Sequence, residues 1–276
     1  MLGAIMGDIA GSRFEWKEWK IKDFVFFTDS NHFTDDGLMT LGIARAFVLN
    51  KGKWHESDFQ QKVIDSMVHV AKPYLNRCWW GANFYKWLTE SQTPYNSWGN
   101  GSAMRVSSVG WIADSEEEVR YFSKLVTEVS HNHPEGLKGA EAVAMAIYLA
   151  RNGTDMATIR QRMIEYYPGI EKMTVDNIRP GYGIDDQGGF ISCQGSVPEA
   201  IVCFLEATST EDAIRNAISL GGDADTQAAI TGAMAEAYFG VPFELEDKTL
   251  TYLTDELRSI YYSFDLIKKP RKRRVK

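Results

Sequence analysis

Cysteine, long hydrophobic segments and positive charge are all scarce in most of this 276-residue sequence. The three cysteines, Cys78, Cys193 and Cys203, lack the spacing of a metal site and cannot all pair, so we predict a reducing, cytoplasmic environment. No apolar run approaches the roughly 20 residues that span a bilayer, so we expect no membrane association. The chain meets Asp8 without a preceding basic region, and we therefore expect no secretion signal.

The charge of the chain is divided unevenly. The last nine residues, 268–276, contain seven of the 30 basic side chains, which leaves 23 basic and 37 acidic side chains in residues 1–267. An acidic body argues against nucleic acid as the main partner and fits a surface at which bound cations supply positive charge. The basic end could be a nuclear-localisation signal or a patch for polyanions. We predict a disordered tail instead, because like charges in a row rarely fold, and nucleic acid stays a less favoured partner.

Apolar residues recur at helical spacing through most of the chain, whereas patterns typical of strands are weak. Leu38, Leu41, Ala44 and Val48, for example, form one stripe after an acidic start. Helices are predicted over 37–49, 57–72, 135–150, 210–219 and 225–239, with a further helix start at 114–118. Segments 7–11, 96–105, 130–136 and 185–195 are predicted to be loops, and they carry most of the unusual residues. This pattern predicts one all-α domain over residues 1–267 and a separate tail over 268–276.

Two acidic clusters of similar chemistry lie far apart in the chain, and each directly precedes a predicted helix. The first is Thr34-Asp35-Asp36 and the second is Asp223-Ala224-Asp225-Thr226. Carboxylate and hydroxyl oxygens suit hard cations such as Mg²⁺ or Mn²⁺. If the fold brings the two helix starts together, four carboxylates meet, which requires neutralising cations. Alternatively, each cluster only caps its helix, and the clusters by themselves leave both interpretations open.

Two further loops contain residues suited to binding an anion. Gly99-Asn100-Gly101-Ser102 precedes an apolar segment, and such a loop lets backbone N–H groups approach a phosphate. It could equally be an ordinary turn in which Ser102 caps a helix. His131 and His133 lie on a turn, where a histidine can donate to a phosphate or ribose oxygen or simply satisfy the turn. No third ligand nearby supports a zinc site.

Taken in order, these segments resemble the ADP-ribosylglycohydrolase family. The matching stretches are GDIAGSRFE (7–15), FTDDGLMT (33–40), GNGSAMR (99–105), SHNHPEG (130–136), SCQGSVPEAI (192–201) and GGDADTQAAITGAMAEAYFG (221–240). The resemblance implies a single-domain, all-α orthogonal helix bundle with two Mg²⁺ or Mn²⁺ ions in a central cleft.

The resemblance also assigns roles to individual residues. The implied metal ligands are Thr34, Asp35, Asp36, Asp223, Asp225 and Thr226, with Asp225 shared by both ions. The implied substrate-binding residues, which would face the diphosphate and ribose of ADP-ribose, are Gly99, Asn100, Gly101, Ser102 and His131. We interpret Glu15 as the residue that handles the proton of the leaving group and Asp36 as the carboxylate that orients the attacking water.

Two departures from the family pattern stand out. The family usually reads TDDT where this chain has Gly37 in the fourth position, and the lost hydroxyl is expected to weaken support for the carboxylates and loosen the helix start. Some relatives that act on arginine use an aspartate just before the loop 99–102, here called the glycine loop, where this chain has Asn96-Ser97-Trp98 and no acid. The segment 185–195 is expected to line the adenine side or the leaving-group side. Candidate stacking residues are Trp98, Tyr182 and Phe190.

The leading interpretation is a hydrolase that releases ADP-ribose from a modified protein side chain, arginine being the commonest target. An ADP-ribosylated nucleic acid or a free ADP-ribose derivative could use the same cleft. A first alternative is a relative that binds ADP-ribose or a partner protein without turnover, as an immunity protein does, and the two departures favour it. A second is a two-metal phosphoesterase, which would produce AMP where a glycohydrolase releases intact ADP-ribose.

Overall fold

The computed structural model describes residues 1–183 and 189–272, and within these ranges the chain is helical with no β-strand. The helices are α1 Leu2–Gly11, α2 Asp35–Leu49, α3 Phe59–Ala71, α4 Ala82–Thr89, α5 Gly101–Met104, α6 Ser107–Ile112, α7 Glu116–Thr127, α8 Pro134–Arg151, α9 Met156–Tyr166, α10 Val175–Ile178, α11 Val197–Leu205, α12 Thr210–Ile218, α13 Ala224–Phe239, α14 Phe243–Thr251 and α15 Asp255–Asp265. The predicted all-α helical bundle is therefore confirmed. Each helix predicted from periodicity is present, and its ends agree with the prediction to within two residues.

The centre of the bundle is the antiparallel pair α1 and α13. Every residue of α1 is buried, and so is every residue of α13 up to Ala237. Glycines allow this closeness: a Cβ at Gly7 would lie 2.0 Å from the carbonyl oxygen of Ala228, and one at Gly3 would lie 2.1 Å from that of Gly232. The prediction of a loop over 7–11 was wrong, because here the glycines serve close helix contact and not a turn. Burial of the whole helix outweighs the roughly 1 kcal/mol that each glycine costs a helix relative to alanine.

Helix starts are marked by side-chain caps, which explains why the sequence located them well. Thr34 caps α2 by accepting from the backbone N–H of Asp36, and Ser115 caps α7 by accepting from that of Glu118. Asp223 occupies the cap position of α13, but its side chain makes no capping hydrogen bond. Side-chain capping is thus observed for the first acidic cluster, whereas the carboxylate of Asp223 does not cap α13.

The antiparallel pairing brings distant parts of the chain to one end of the bundle. Gly11, at the end of α1, lies against Asp225, at the start of α13. The backbone N–H of Thr34, just before α2, reaches Asp8 on the last turns of α1 at 3.0 Å. The segment after α1 is tied to the loop before α13, since the N–H of Trp16 donates to the carbonyl of Gly222 at 2.8 Å. Both acidic clusters therefore face the same region.

The basic end of the chain begins against the body of the protein. The backbone N–H of Lys269 donates to Trp111 at 2.9 Å, and that of Lys272 donates to Arg151 at 2.8 Å. Residues 273–276 of the predicted tail lie outside the described residues, and a separate tail over 268–276 stays a prediction.

Two features bear on the predicted environment of the protein. Within residues 1–183 and 189–272, no helix combines the length and the apolar character needed to cross a membrane. All three cysteines are free, with Cys193 and Cys203 buried. The cytoplasmic location stays a prediction.

Candidate metal centre and cleft

A cavity of about 350 Å³ opens at the end of the bundle where the two acidic clusters meet, a volume typical of a small-molecule site. Its wall includes most of the residues singled out from the sequence: Glu15, Asp35, Asp36, Gly99, Asn100, Gly101, His131, Asp223, Asp225 and Thr226. Thr34 and Ser102 are the two predicted site residues that do not line it. Residues remote in sequence are thus assembled into one cleft.

The carboxylates in and next to the cleft form two groups that share one member. Asp8, Asp36 and Asp225 place one oxygen each within 4.8 Å of the others, and Glu15, Asp223 and Asp225 do the same. Each group could hold a metal ion, and Asp225 belongs to both. Asp35 lines the cleft but lies in neither group, and the ligand roles of all six residues that the resemblance implies stay predictions.

Hydrogen bonds connect the two helix starts directly. The hydroxyl of Thr226, on α13, donates to Asp36 Oδ2 on α2 at 3.2 Å. The hydroxyl of Thr34 donates to Asp8 Oδ1 at 2.7 Å. Asp36 Oδ1, in contrast, is buried and has no hydrogen-bond partner among the described residues. A buried carboxylate oxygen without a donor is an acceptor that a bound cation would satisfy.

The electrostatics of the cleft also fit bound cations. Burial raises the pKa of Asp35, Asp36 and Asp225 well above the usual value, and neighbouring carboxylates raise these pKa values further. Burial likewise raises the pKa of Asp8 to about 7. Carboxylates this crowded retain protons unless positive charge replaces them. The donor set of oxygens alone, all hard ligands, suits Mg²⁺ or Mn²⁺.

Asp8 is a site residue that sequence reasoning missed. Its carboxylate accepts from the backbone N–H and the hydroxyl of Thr34, and from the N–H of Gly37 at 3.0 Å. A Cβ on Gly37 would lie 2.4 Å from Asp8 Oδ2. Because Gly37 has no side chain, the carboxylate of Asp8 fits beside the first turn of α2 and accepts a hydrogen bond from it. Asp8 therefore holds the start of α2 at the position where a loosened helix was expected from the sequence. A carboxylate inside the otherwise apolar, glycine-stepped run 1–11 was the signal that could have identified it.

The glycine loop combines a structural role with its place in the cleft. The amide of Asn100 donates to Asp223 Oδ2 at 2.7 Å, so it orients one of the predicted ligands. Ser102 is completely buried, and its hydroxyl donates to the carbonyl of Gly136 at 2.9 Å, so the fold does not bring this side chain to the cleft. The imidazole of His131 faces the loop, because a Cβ on Gly101 would lie 3.3 Å from His131 Nε2.

Comparison with known proteins shows the family to which the chain belongs. The family model described as ADP-ribosylglycohydrolase matches residues 1–267. The chain belongs to the ADP-ribosylglycohydrolase family. The ADP-ribosylhydrolase ARH3 of Mus musculus is 26% identical over 267 residues, which cover 78% of this chain and 71% of that protein. The ADP-ribosylarginine hydrolase Tri1 of Pseudomonas putida (strain GB-1) is 25% identical, and the match covers 87% of this chain and 70% of that protein.

A solved structure supports the same fold for this ADP-ribosylglycohydrolase family member. The structure of an "ADP-ribosylglycohydrolase-related protein complex" superimposes with a TM-score of 0.68 over 96% of both chains. Its sequence identity to this chain is 19%, so it shows the fold alone.

This family member surrounds its cleft with aromatic side chains other than those expected. Trp16 and Trp79 line the cleft and are 58% and 85% exposed. Trp98 lies outside it and packs edge-on against His133, with ring centroids 5.3 Å apart. Tyr182 and Phe190 do not line it either, and of the segment 185–195 residues 185–188 lie outside the described residues. Ile191 of that segment lines the cleft.

Residues 96–98, which lack the aspartate of some relatives that act on arginine, lead into the glycine loop. Asn96 has a left-handed backbone, with φ of 55°, and its N–H donates to the side chain of Asn132 at 2.7 Å. The hydroxyl of Ser97 accepts from the N–H of Gly99 at 3.1 Å. These contacts fix the approach to the loop without placing a carboxylate there.

Proposed function

We propose that this protein is a metal-dependent hydrolase that cleaves the glycosidic bond between ADP-ribose and a modified protein side chain. The observation that carries the proposal is the pair of carboxylate groups that share Asp225 at the end of a cleft bounded by the glycine loop. Membership of the ADP-ribosylglycohydrolase family supports the reaction, and similar proteins are named ADP-ribosylhydrolases. We propose arginine as the acceptor because one relative is named an ADP-ribosylarginine hydrolase.

Two Mg²⁺ or Mn²⁺ ions would be held by the residues that the resemblance assigned. These are Thr34, Asp35, Asp36, Asp223, Asp225 and Thr226. When bound, the ions supply positive charge that holds sugar hydroxyls and lowers the pKa of water. Asp8 and Asn100 would support the ligands from behind, through their hydrogen bonds to Thr34 and Asp223.

Two carboxylates of the chain would act during cleavage, one on a proton and one on the attacking water. Glu15 lines the cleft and is half-buried, and burial together with the charge of Asp223 raises its pKa. A raised pKa favours the protonated acid, which can give its proton to the departing group. Asp36 would orient the attacking water as one of the carboxylates around the metal ions. The sugar passes through an oxocarbenium-like transition state in such reactions.

The diphosphate and ribose part of the ligand would lie against the glycine loop. Gly99, Asn100 and Gly101 line the cleft next to His131, and the two glycines present no side chain there. A backbone without side chains can approach a diphosphate closely. We propose that the diphosphate and ribose of ADP-ribose bind here.

The proposed function is tested by product analysis. We would incubate the protein with ADP-ribosylated arginine, ADP-ribosylated serine and ADP-ribosylated DNA, with Mg²⁺, Mn²⁺ or a chelator, and identify the products by mass spectrometry. Metal-dependent release of intact ADP-ribose is expected, and the reacting substrate names the acceptor. The control is Asp225→Asn, which removes a charge from both carboxylate groups with little change in volume and should abolish release.

Other products would contradict the proposal. AMP would indicate a phosphoesterase. Tight binding of ADP-ribose without release would indicate a binding protein, the candidate that the missing acid before the glycine loop favours. A binding protein has no turnover to lose, so Asp225→Asn should then weaken metal binding alone.

A further inference from the structure

Arg105 is an unusual feature of the cleft wall. Its side chain is completely buried, and it is the one Lys or Arg among the described residues that line the cavity. It forms no ion pair with a carboxylate of residues 1–183 or 189–272, and its Nε and Nη1 atoms have no hydrogen-bond partner there. Burial lowers the pKa of Arg105 to about 10, which leaves it charged at neutral pH. The guanidinium carbon lies 5.3 Å from the centroid of the Phe84 ring, a cation–π contact that offsets only part of the cost of burying a charge, so a function for this side chain is expected.

The contacts of Arg105 lead to a histidine. Arg105 Nη2 donates to Ser130 Oγ at 2.7 Å, and Ser130 Oγ lies 2.8 Å from His131 Nδ1. Arg105 Nη2 is itself 3.4 Å from His131 Nδ1. Ser130 is completely buried and His131 nearly so, which excludes bulk water from this chain of contacts.

The direction of these hydrogen bonds follows from the chemistry of the three groups. A guanidinium can only donate, so Ser130 Oγ accepts from Arg105. The hydroxyl hydrogen of Ser130 then needs an acceptor, and His131 Nδ1 is the atom within reach. If Nδ1 carried a proton, it would face the N–H of Arg105 and leave the hydroxyl of Ser130 without an acceptor. Nδ1 is therefore unprotonated, and the single proton of the neutral imidazole is on Nε2.

The Nε2 edge of the imidazole borders the cleft. His131 lines the cavity, and its Nε2 lies beside the glycine loop, 3.3 Å from where a Cβ on Gly101 would be. A proton on Nε2 makes this atom a hydrogen-bond donor to whatever occupies the cleft. Burial and the charge of Arg105 hold the pKa of His131 well below its usual value, so the imidazole stays neutral.

We propose that Arg105 is a positioning residue which, through Ser130, holds His131 in the neutral tautomer with its proton on Nε2. The cleft wall thereby offers a fixed N–H donor to an acceptor oxygen of the ligand, and His131 cannot act as a general base through that atom. The proposal rests on the proposed function only for the identity of the ligand, ADP-ribose. The tautomer itself is a property of the protein without ligand.

The first test measures the tautomer by nuclear magnetic resonance. Protein labelled with ¹⁵N-histidine is examined by long-range ¹H–¹⁵N correlation near neutral pH, with His131→Gln to assign the resonances. We expect an unprotonated Nδ1 and a protonated Nε2 for His131. A protonated Nδ1, or a doubly protonated imidazolium, overturns the proposal.

The second test removes the guanidinium. Arg105→Met should produce a mixture of His131 tautomers and weaken the binding of ADP-ribose, measured by calorimetry, in inverse proportion to the fraction that keeps the proton on Nε2, about twofold for an equal mixture. The matched control is Arg151→Met, because Arg151 is another buried arginine, with a hydrogen bond to the carbonyl of Ala113, that lies outside the cleft wall. Arg151→Met should leave both the tautomer and the affinity unchanged. An unchanged tautomer in Arg105→Met overturns the role of Arg105.

A second variant covers the case in which Arg105→Met does not fold. Ser130→Ala leaves the guanidinium in place but interrupts the contact, and Arg105 reaches Nδ1 only at 3.4 Å, beyond good hydrogen-bond length. We expect an increased fraction of the Nδ1-protonated tautomer, and an unchanged spectrum excludes the path through Ser130. If the tautomer is as expected but ADP-ribose does not bind, the positioning role stands and the proposed function fails.

Discussion

At the scale of single residues, Gly37 and Asp8 occupy one small volume next to the carboxylate cluster. The Asp8 carboxylate fills the space that a side chain at position 37 would need, and it receives three hydrogen bonds from residues 34 and 37. In the family pattern a threonine usually stands at this position. The chain therefore holds residues 34–37 with a carboxylate from α1 and has no hydroxyl at position 37.

We expect Gly37→Ala to weaken metal binding and to destabilise the protein. The new methyl group would lie 2.4 Å from Asp8 Oδ2, so the carboxylate must move and its hydrogen bonds to the start of α2 lengthen. The cost expected for such overpacking is about 1–3 kcal/mol. Chemical denaturation and calorimetric titration with Mn²⁺ measure the two effects. Gly181→Ala is the control, because no atom of residues 1–183 or 189–272 lies within 4 Å of its added Cβ. Equal effects of the two substitutions would show that the contact with Asp8 is unimportant.

Glu15 is the residue whose substitution should separate turnover from metal binding. On the proposed function, Glu15→Gln should lower kcat by about 10²–10⁴-fold, because the amide cannot transfer a proton to the leaving group. The affinity for Mn²⁺ should change far less than in Asp225→Asn, since Asp225 belongs to both carboxylate groups and Glu15 to one. Glu18→Gln, on an exposed position of the same segment, is the control. Full activity of Glu15→Gln would leave Glu15 with a structural role only.

At the scale of elements, the pairing of α1 with α13 determines the geometry of the site. The two helices approach so closely at Gly3, Gly7 and Gly11 that backbone atoms occupy the positions of possible side chains. Asp8 and Asp225 are carried by these two helices, and α2 joins them through Asp36. A change in the spacing of α1 and α13 is therefore a change in the distances between these carboxylates.

Gly7→Ala tests this coupling. Its Cβ would lie 2.0 Å from the carbonyl oxygen of Ala228, a backbone atom of a buried helix that cannot turn aside. We expect a loss of at least about 1–3 kcal/mol in the free energy of unfolding and weaker metal binding, although residue 7 is not itself a ligand. Denaturation and metal titration of the purified variant measure both. A variant that is destabilised but binds Mn²⁺ as tightly as the parent would show that helix spacing and ligand geometry are independent.

At the scale of the whole molecule, the dominant feature is an acidic protein in which most of the buried carboxylates lie at one end of the bundle. Residues 1–267 carry a surplus of acidic side chains, and several of the buried ones lie in the cleft. Without cations their pKa values are raised, chiefly by burial. Each raised pKa means that the folded state retains a proton that the unfolded state has lost.

This predicts a pH dependence of stability that divalent ions remove. For a carboxylate with a raised pKa, the folded state binds more protons above the unfolded value of about 4, so the free energy of unfolding falls as pH rises. For Asp8 the fall extends to about pH 7, its pKa in the folded protein. In chelator the melting temperature should thus decrease between pH 5 and 7, and saturating Mg²⁺ or Mn²⁺ should raise it most at the upper end. The same melting temperature at all pH values, with and without ions, would argue against a metal centre.

Much of this molecule follows from short-range patterns in the sequence. The apolar periodicity of 37–49 or 225–239 and caps such as Ser115 involve residues within a few positions of each other, so they predicted the helices closely. The two acidic clusters, the glycine loop and His131 were likewise recognisable as local motifs. Their convergence on one cleft could only be stated as a condition, because nothing local specifies it.

The tertiary structure decided which side of each element faces the cleft. Asp8 sits in a run that looked like a glycine loop, and only the packing of α1 on α13 makes it a helix with a carboxylate beside Thr34. Ser102 ends the glycine loop and Arg105 lies soon after it, yet Ser102 donates to Gly136 away from the cleft while Arg105 reaches Ser130. Helix periodicity is set by hydrogen bonds four residues apart, whereas the direction in which a side chain points into the bundle depends on partners as distant as Asn100 and Asp223, 123 positions apart.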